Sequence, residues 1–128
     1  MVGPLLPVMW SYCRYNCIKS KSIYLKSLTI QLISTLIWKF QFEFIKLLAS
    51  ENNLQLALTT ISKNQHLLEE KHERKRVIIG LTSLLLIGDK PQTIFDSLPL
   101  LFKVLVKLVR KNAKSRVLTY LYENRNSN

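Results

Sequence analysis

Lys103, Lys107, Arg110, Lys111 and Lys114 recur at three- and four-residue intervals, a spacing that sets them along one side of a helix. A row of this kind holds anionic groups: an acidic protein segment, phosphates or anionic lipid headgroups. The same row also serves as a solvated face that keeps an apolar helix soluble. Nucleic acid fits it less well, because aromatic side chains able to stack on bases are not interleaved with the cations.

Other residue types capable of chemistry are thinly spread. Cys13 and Cys17 lie four residues apart, and His66 and His72 follow far downstream, which is not the spacing of a familiar zinc site. Glycine occurs only at positions 3, 80 and 88, so there is no glycine-rich phosphate loop. The eight carboxylates are scattered, and no local signature of a nucleophile with its base stands out. The expectation is a protein that is not an enzyme and carries no cofactor or metal.

The elements that would position the basic row read as helices throughout. Leu25, Leu28, Leu32, Ile33, Leu36 and Ile37 follow the i, i+3, i+4, i+7 rule, predicting an amphipathic helix from Ser22 to about Trp38. Phe42, Ile45, Leu48 and Ala49 predict a short second helix, and the polar Ser50–Asn53 break offers a cap for a third through Leu54, Leu56, Leu58 and Ile61. A fourth runs from Lys71 to Ile87, with Gly88 as its stop and Pro91 beyond. The last is expected from Ser97 to Lys111, capped by Ser97 and Pro99, and burying Leu98, Leu101, Phe102, Leu105, Leu108 and Val109.

Five helical patterns joined by short breaks predict an all-α fold. Helices in antiparallel pairs that cannot each bury their own face predict a HEAT-like α-solenoid fragment. Residues 1–20 carry no convincing period and are expected to be irregular; 21–111 form the helical repeats; 112–128 form a polar, basic tail with a short apolar patch at Val117–Leu121.

The fourth helix organises the rest. Its Val77–Ile87 segment is apolar on nearly all sides, which requires neighbours on both flanks. Gly80 in its middle costs about 1 kcal/mol against alanine, so a close helix contact is expected there, with Leu81 and Leu84 packing beside it and Gly88 in the turn. Ahead of it, Glu69 and Glu70 with Arg74 read as surface pairs worth a few tenths of a kcal/mol.

The order His72-Glu73-Arg74-Lys75, then four residues, then Gly80-Leu81 and Leu84 resembles a late HEAT-type repeat of the importin-β superfamily, in the branch of importins seven and eight. Pro91-Gln92, Leu98-Pro99, the helix ending near Trp38 and the Phe42–Asn52 segment extend the resemblance over roughly residues 22–111. It implies a nuclear transport receptor: a scaffold that binds cargo proteins and nucleoporins, is loaded and released by the Ran GTPase, and shuttles between nucleus and cytoplasm. The matched residues are packing residues in that family, and its principal Ran site lies in repeats that have no counterpart here. The branch also carries a strongly acidic segment where this chain has Arg116 and the polar 112–128 stretch.

Composition leaves other readings open. The chain has 128 residues, 48% of them apolar, with 19 basic against eight acidic side chains and a net charge of +11. One domain at most is expected, with a core and an acidic or anionic partner. The first acidic residue is Glu43, so the N-terminal stretch is basic in the manner of a transit peptide, although arginine is scarce. A second reading is a small basic membrane-associated protein using Ile23–Phe42 and the 103–114 row; Lys26 and Lys39 interrupt that window. A third is a truncated gene product without autonomous function.

Overall fold

A computed structural model describes residues 5–126, apart from the side chains of 115–119 and 125–126. Helices α1 (Leu5–Lys19), α2 (Ile23–Phe40), α3 (Phe42–Ser50), α4 (Leu54–Asn64), α5 (Lys71–Leu86) and α6 (Gln92–Asn126) follow one another, with a 3₁₀ turn at Gln65–Leu67 between α4 and α5. No strand occurs among the described residues. The class is therefore all-α, with six α-helices among the described residues where the periodicity predicted five.

The largest interface is α2 against α5. Helix α1 covers α2 and touches α4; α6 packs on α5 and also touches α4. The five longer helices thus alternate between one row made by α2 and α5 and another made by α1, α4 and α6, while the short α3 touches α2 and α4. Ile30, Ile33, Ile37, Val77, Leu81 and Leu84 are buried where the central pair meets its neighbours. Burial of such side chains contributes about 25 cal/mol per Å² of apolar surface.

Local chemistry explains most boundaries. Ser22 accepts the Leu25 N–H at the start of α2. Helices α2 and α3 are separated by Gln41 alone, at φ 44°. Helix α3 ends as Asn52 takes φ 56° and the Asn53 N–H reaches back to the Leu48 carbonyl, a closure that suits asparagine, which tolerates the left-handed region.

Several expectations are corrected. The segment 1–20, expected to be irregular, is helical from Leu5 to Lys19; Met1–Pro4 lie outside the described residues. Leu6, Trp10 and Cys13 form a buried face at helical spacing, and Trp10 meets Phe44 edge-on with centroids 5.9 Å apart. Exposed Tyr12, Tyr15 and Ile18 had blurred that period, and Pro7 sits in the first turn, where its missing N–H costs nothing.

Helix α6 starts at Gln92, not at Ser97, so Thr93–Phe95 are helical and Pro99 lies inside the helix. The 112–126 part of the expected tail continues that helix. Of the Val117–Leu121 patch, Tyr120 and Leu121 are exposed and the side chains of Val117–Thr119 lie outside the described residues, as do Ser127 and Asn128 altogether.

Gly88 is neither a left-handed stop nor a packing residue. Neither Gly80 nor Gly88 has positive φ; α5 ends through extended Ile87, and a β-carbon at Gly88 would meet nothing within 4 Å. Gly88→Ala is therefore expected to be neutral or to stabilise by up to about 1 kcal/mol, through loss of unfolded-state entropy. Urea denaturation checks this, and a clear destabilisation would show that the turn needs glycine.

Candidate interaction surface and the polar clamp beneath it

Glu73 and Arg74, adjacent in the α5 start, do two different jobs. The Glu73 Oε1 accepts the Glu70 N–H at 2.9 Å, closing the first turn of α5. Its Oε2 accepts from Gln31 Nε2 at 2.9 Å and from Ser27 Oγ at 3.4 Å, both on α2. Gln31 Oε1 in turn accepts from Arg76 Nη1 at 2.6 Å. This network ties α5 to α2 by hydrogen bonds on top of apolar packing.

The Glu70 N–H bond is the main reason that the Glu73 carboxyl sits below its ordinary value; burial pushes it up, and Gln31, His72 and Ser27 draw it down. A carboxyl whose folded value is depressed contributes stability that is present above the unfolded value of 4.5 and is lost as pH falls through the folded value. Stability is expected to drop on acidification below about pH 4.5, and Glu73→Gln should flatten that part of the profile. Unfolding midpoints measured across acidic pH test this; an unchanged slope in the variant would remove Glu73 from the account.

Arg74 is not a surface pair. It is 4% exposed; its Nη1 donates to the Leu68 carbonyl at 3.0 Å and the Glu69 carbonyl at 2.8 Å, and its Nε donates to the Asn112 Oδ1. Asn112 Nδ2 donates to the Lys71 carbonyl at 3.3 Å. Arg74 thereby staples the 3₁₀ turn, α5 and α6 together, through carbonyl and carboxamide oxygens.

Gly80 faces α2. A β-carbon built there would lie 2.5 Å from the Ser34 carbonyl oxygen and 2.8 Å from its Cα. Leu81 and Leu84 beside it are buried.

The two cysteines are packing groups. Burial, with the neighbouring Cys17 second, pushes the Cys13 thiol up to about 12, and burial raises Cys17 as well. Neither supplies a thiolate nucleophile near neutral pH. Among the described residues no three His, Cys, Asp or Glu side chains come together. A hollow of about 290 Å³ is lined by Pro7, Trp10, Ser11, Arg14, Glu51 and Asn53. No described helix is long and apolar enough to cross a membrane.

The basic row lies on α6, where Lys103, Lys107, Arg110, Lys111 and Lys114 are all exposed. Helix α6 has three faces. Ile94, Leu101, Val104 and Leu108 are buried. Phe95 (49%), Phe102 (51%), Val106 (45%) and Val109 (47%) are not, contrary to the expected burial of Phe102 and Val109. With exposed Pro99 and Ala113, they follow a 4-3-4-3-4 spacing and form a second apolar seam beside the cations. Sequence reasoning missed this seam because one helix carries two apolar stripes, and it merged them. The signal was there: Phe102 and Val109 share a 3.5-residue period with Phe95 and Val106, and Leu101 and Leu108 belong to the other stripe.

No protein-family model matches the chain, and no curated protein or solved structure matches it.

Proposed function

We propose that this chain is a protein-binding helical scaffold, a HEAT-like solenoid piece of an importin-β-type nuclear transport receptor that binds cargo, nucleoporins and Ran and works between nucleus and cytoplasm. The observation that carries the scaffold reading is the alternation of the five longer helices between two rows, α2–α5 and α1–α4–α6, with the short α3 between α2 and α4. Stacked repeats need that arrangement, since each helix buries its faces only on neighbours in its own and the adjoining row. The transport reading rests on the resemblance of His72–Leu84. In this fold Glu73, Arg74 and Gly80 of that stretch clamp α5 to its neighbours, which agrees with a packing role and assigns none of them to Ran.

Proximity labelling in cells with the full chain fused to a promiscuous biotin ligase tests the proposal. Labelled nucleoporins and Ran are the expected neighbours. Soluble proteins of other systems would retain the scaffold and remove the transport reading. Retention of the chain in membranes after alkaline extraction would remove both and favour the membrane-associated alternative.

A further inference from the structure

The exposed seam of α6 has properties that specify what covers it. At about 100° per residue, Phe95, Pro99, Phe102, Val106, Val109 and Ala113 occupy an arc roughly 80° wide. That is the width and the 4-3 spacing of a seam that receives one helix. The opposite side of α6 is occupied by the fold rather than by water, with Ile94, Leu101, Val104 and Leu108 buried. Along one border of the seam run Lys103, Lys107, Arg110 and Lys114. Asp96 and Glu123 are the only carboxylates of α6, and Asp96 is engaged with Gln92 at 3.0 Å. The border therefore has one sign along the stretch from Lys103 to Lys114. A second copy of the chain would set two such cationic borders and two charges of +11 against each other.

We propose that this seam is a docking site for an acidic amphipathic helix of a partner protein. Its apolar residues, at three- and four-residue spacing, seat on Phe102, Val106 and Val109. Its carboxylates line up against Lys103, Lys107, Arg110 and Lys114, and set orientation and association rate more than affinity. The proposal rests on the scaffold reading and names the partner chemistry of one of its faces.

The test uses the full chain and a fluorescent peptide of about three heptads with Leu at a and d and Glu at e and g, whose like charges keep it from pairing with itself. A twin carries Lys in place of Glu, and vesicles of phosphatidylcholine with phosphatidylserine probe the lipid alternative. The Glu peptide is expected to bind, more weakly as salt rises, and the Lys peptide and the vesicles are expected not to. Phe102→Ser with Val106→Ser should abolish binding without loss of helical circular dichroism, because both side chains are exposed. Lys103→Glu with Lys107→Glu should weaken the Glu peptide at least tenfold and admit the Lys peptide. Equal binding of both peptides, binding that survives the serine pair, vesicle binding alone, or no binding at all would each overturn the proposal. Proximity labelling reads the scaffold function independently of these peptides, so the seam can fail while that reading stands, and the reverse.

Discussion

Gly80→Ala lowers the stability of the folded chain although alanine is the better helix former. In an exposed helix the substitution would gain about 1 kcal/mol. Here the new methyl would sit 2.5 Å from the Ser34 carbonyl oxygen and 2.8 Å from the Ser34 Cα. Both are backbone atoms of a helix held on its other side by α1, so no side chain can rotate away. Helices α2 and α5 must separate, and overpacking of this kind costs about 1–3 kcal/mol. Separation also strains the Glu73–Gln31 bond on the same interface. The net result is a loss for alanine and a larger one for Gly80→Leu, which adds three more carbons at the same point. Thermal and urea unfolding measure it; a raised melting temperature for both variants would mean that the two helices do not touch there.

Arg74→Ala is the second large effect. Read as a surface pair with a carboxylate four residues back, Arg74 would be worth a few tenths of a kcal/mol, and its removal would scarcely register. Buried and bonded to two carbonyls and Asn112, it is worth far more. Truncation leaves the Leu68 and Glu69 carbonyls without these donors and opens a void between the 3₁₀ turn and α6. Each unsatisfied buried group costs about 1–3 kcal/mol, so a loss on the order of 3 kcal/mol is expected. Arg74→Lys keeps the charge but not the planar fork that reaches three acceptors from one position, and it should recover only a minor part. A full recovery by lysine would show that charge, not geometry, holds the turn.

These two residues mark where sequence reading succeeds and where it stops. A glycine inside a helix that is apolar all round has one economical explanation, a neighbour's backbone, and that inference needs only the letters of α5. Arg74 offers no such constraint. Glu70 and Arg74 have the spacing of a surface pair, and the acceptor that decides the matter, Asn112, lies 38 residues on. The helical class followed from periodicity in α2 and from the length of the apolar run in α5, whose apolar residues cover nearly all sides. It failed to delimit α1 and α6 for opposite reasons. In α1, exposed tyrosines hide the buried face. In α6, Pro99 reads as a start signal although the helix already runs from Gln92, and a second stripe blends with the first. The basic row was visible as spacing; the seam beside it became visible only once burial separated Leu101 and Leu108 from Phe102 and Val109.

The pairing of α2 with α5 also dictates a schedule. Ser27 and Glu73, which meet across that interface, are 46 residues apart. A ribosome adds about 5–20 residues per second, so α2 emerges several seconds before the helix that seals its inner face. Throughout that interval Ile30, Ile33 and Ile37 have only α1 and the still-forming α3 and α4 to shelter them. Local helices form within microseconds, yet the central contact cannot close until the last of α5 has left the exit tunnel. The nascent chain thus passes through a stage with a finished helix and an unfinished core, the kind of sticky intermediate on which holding chaperones act.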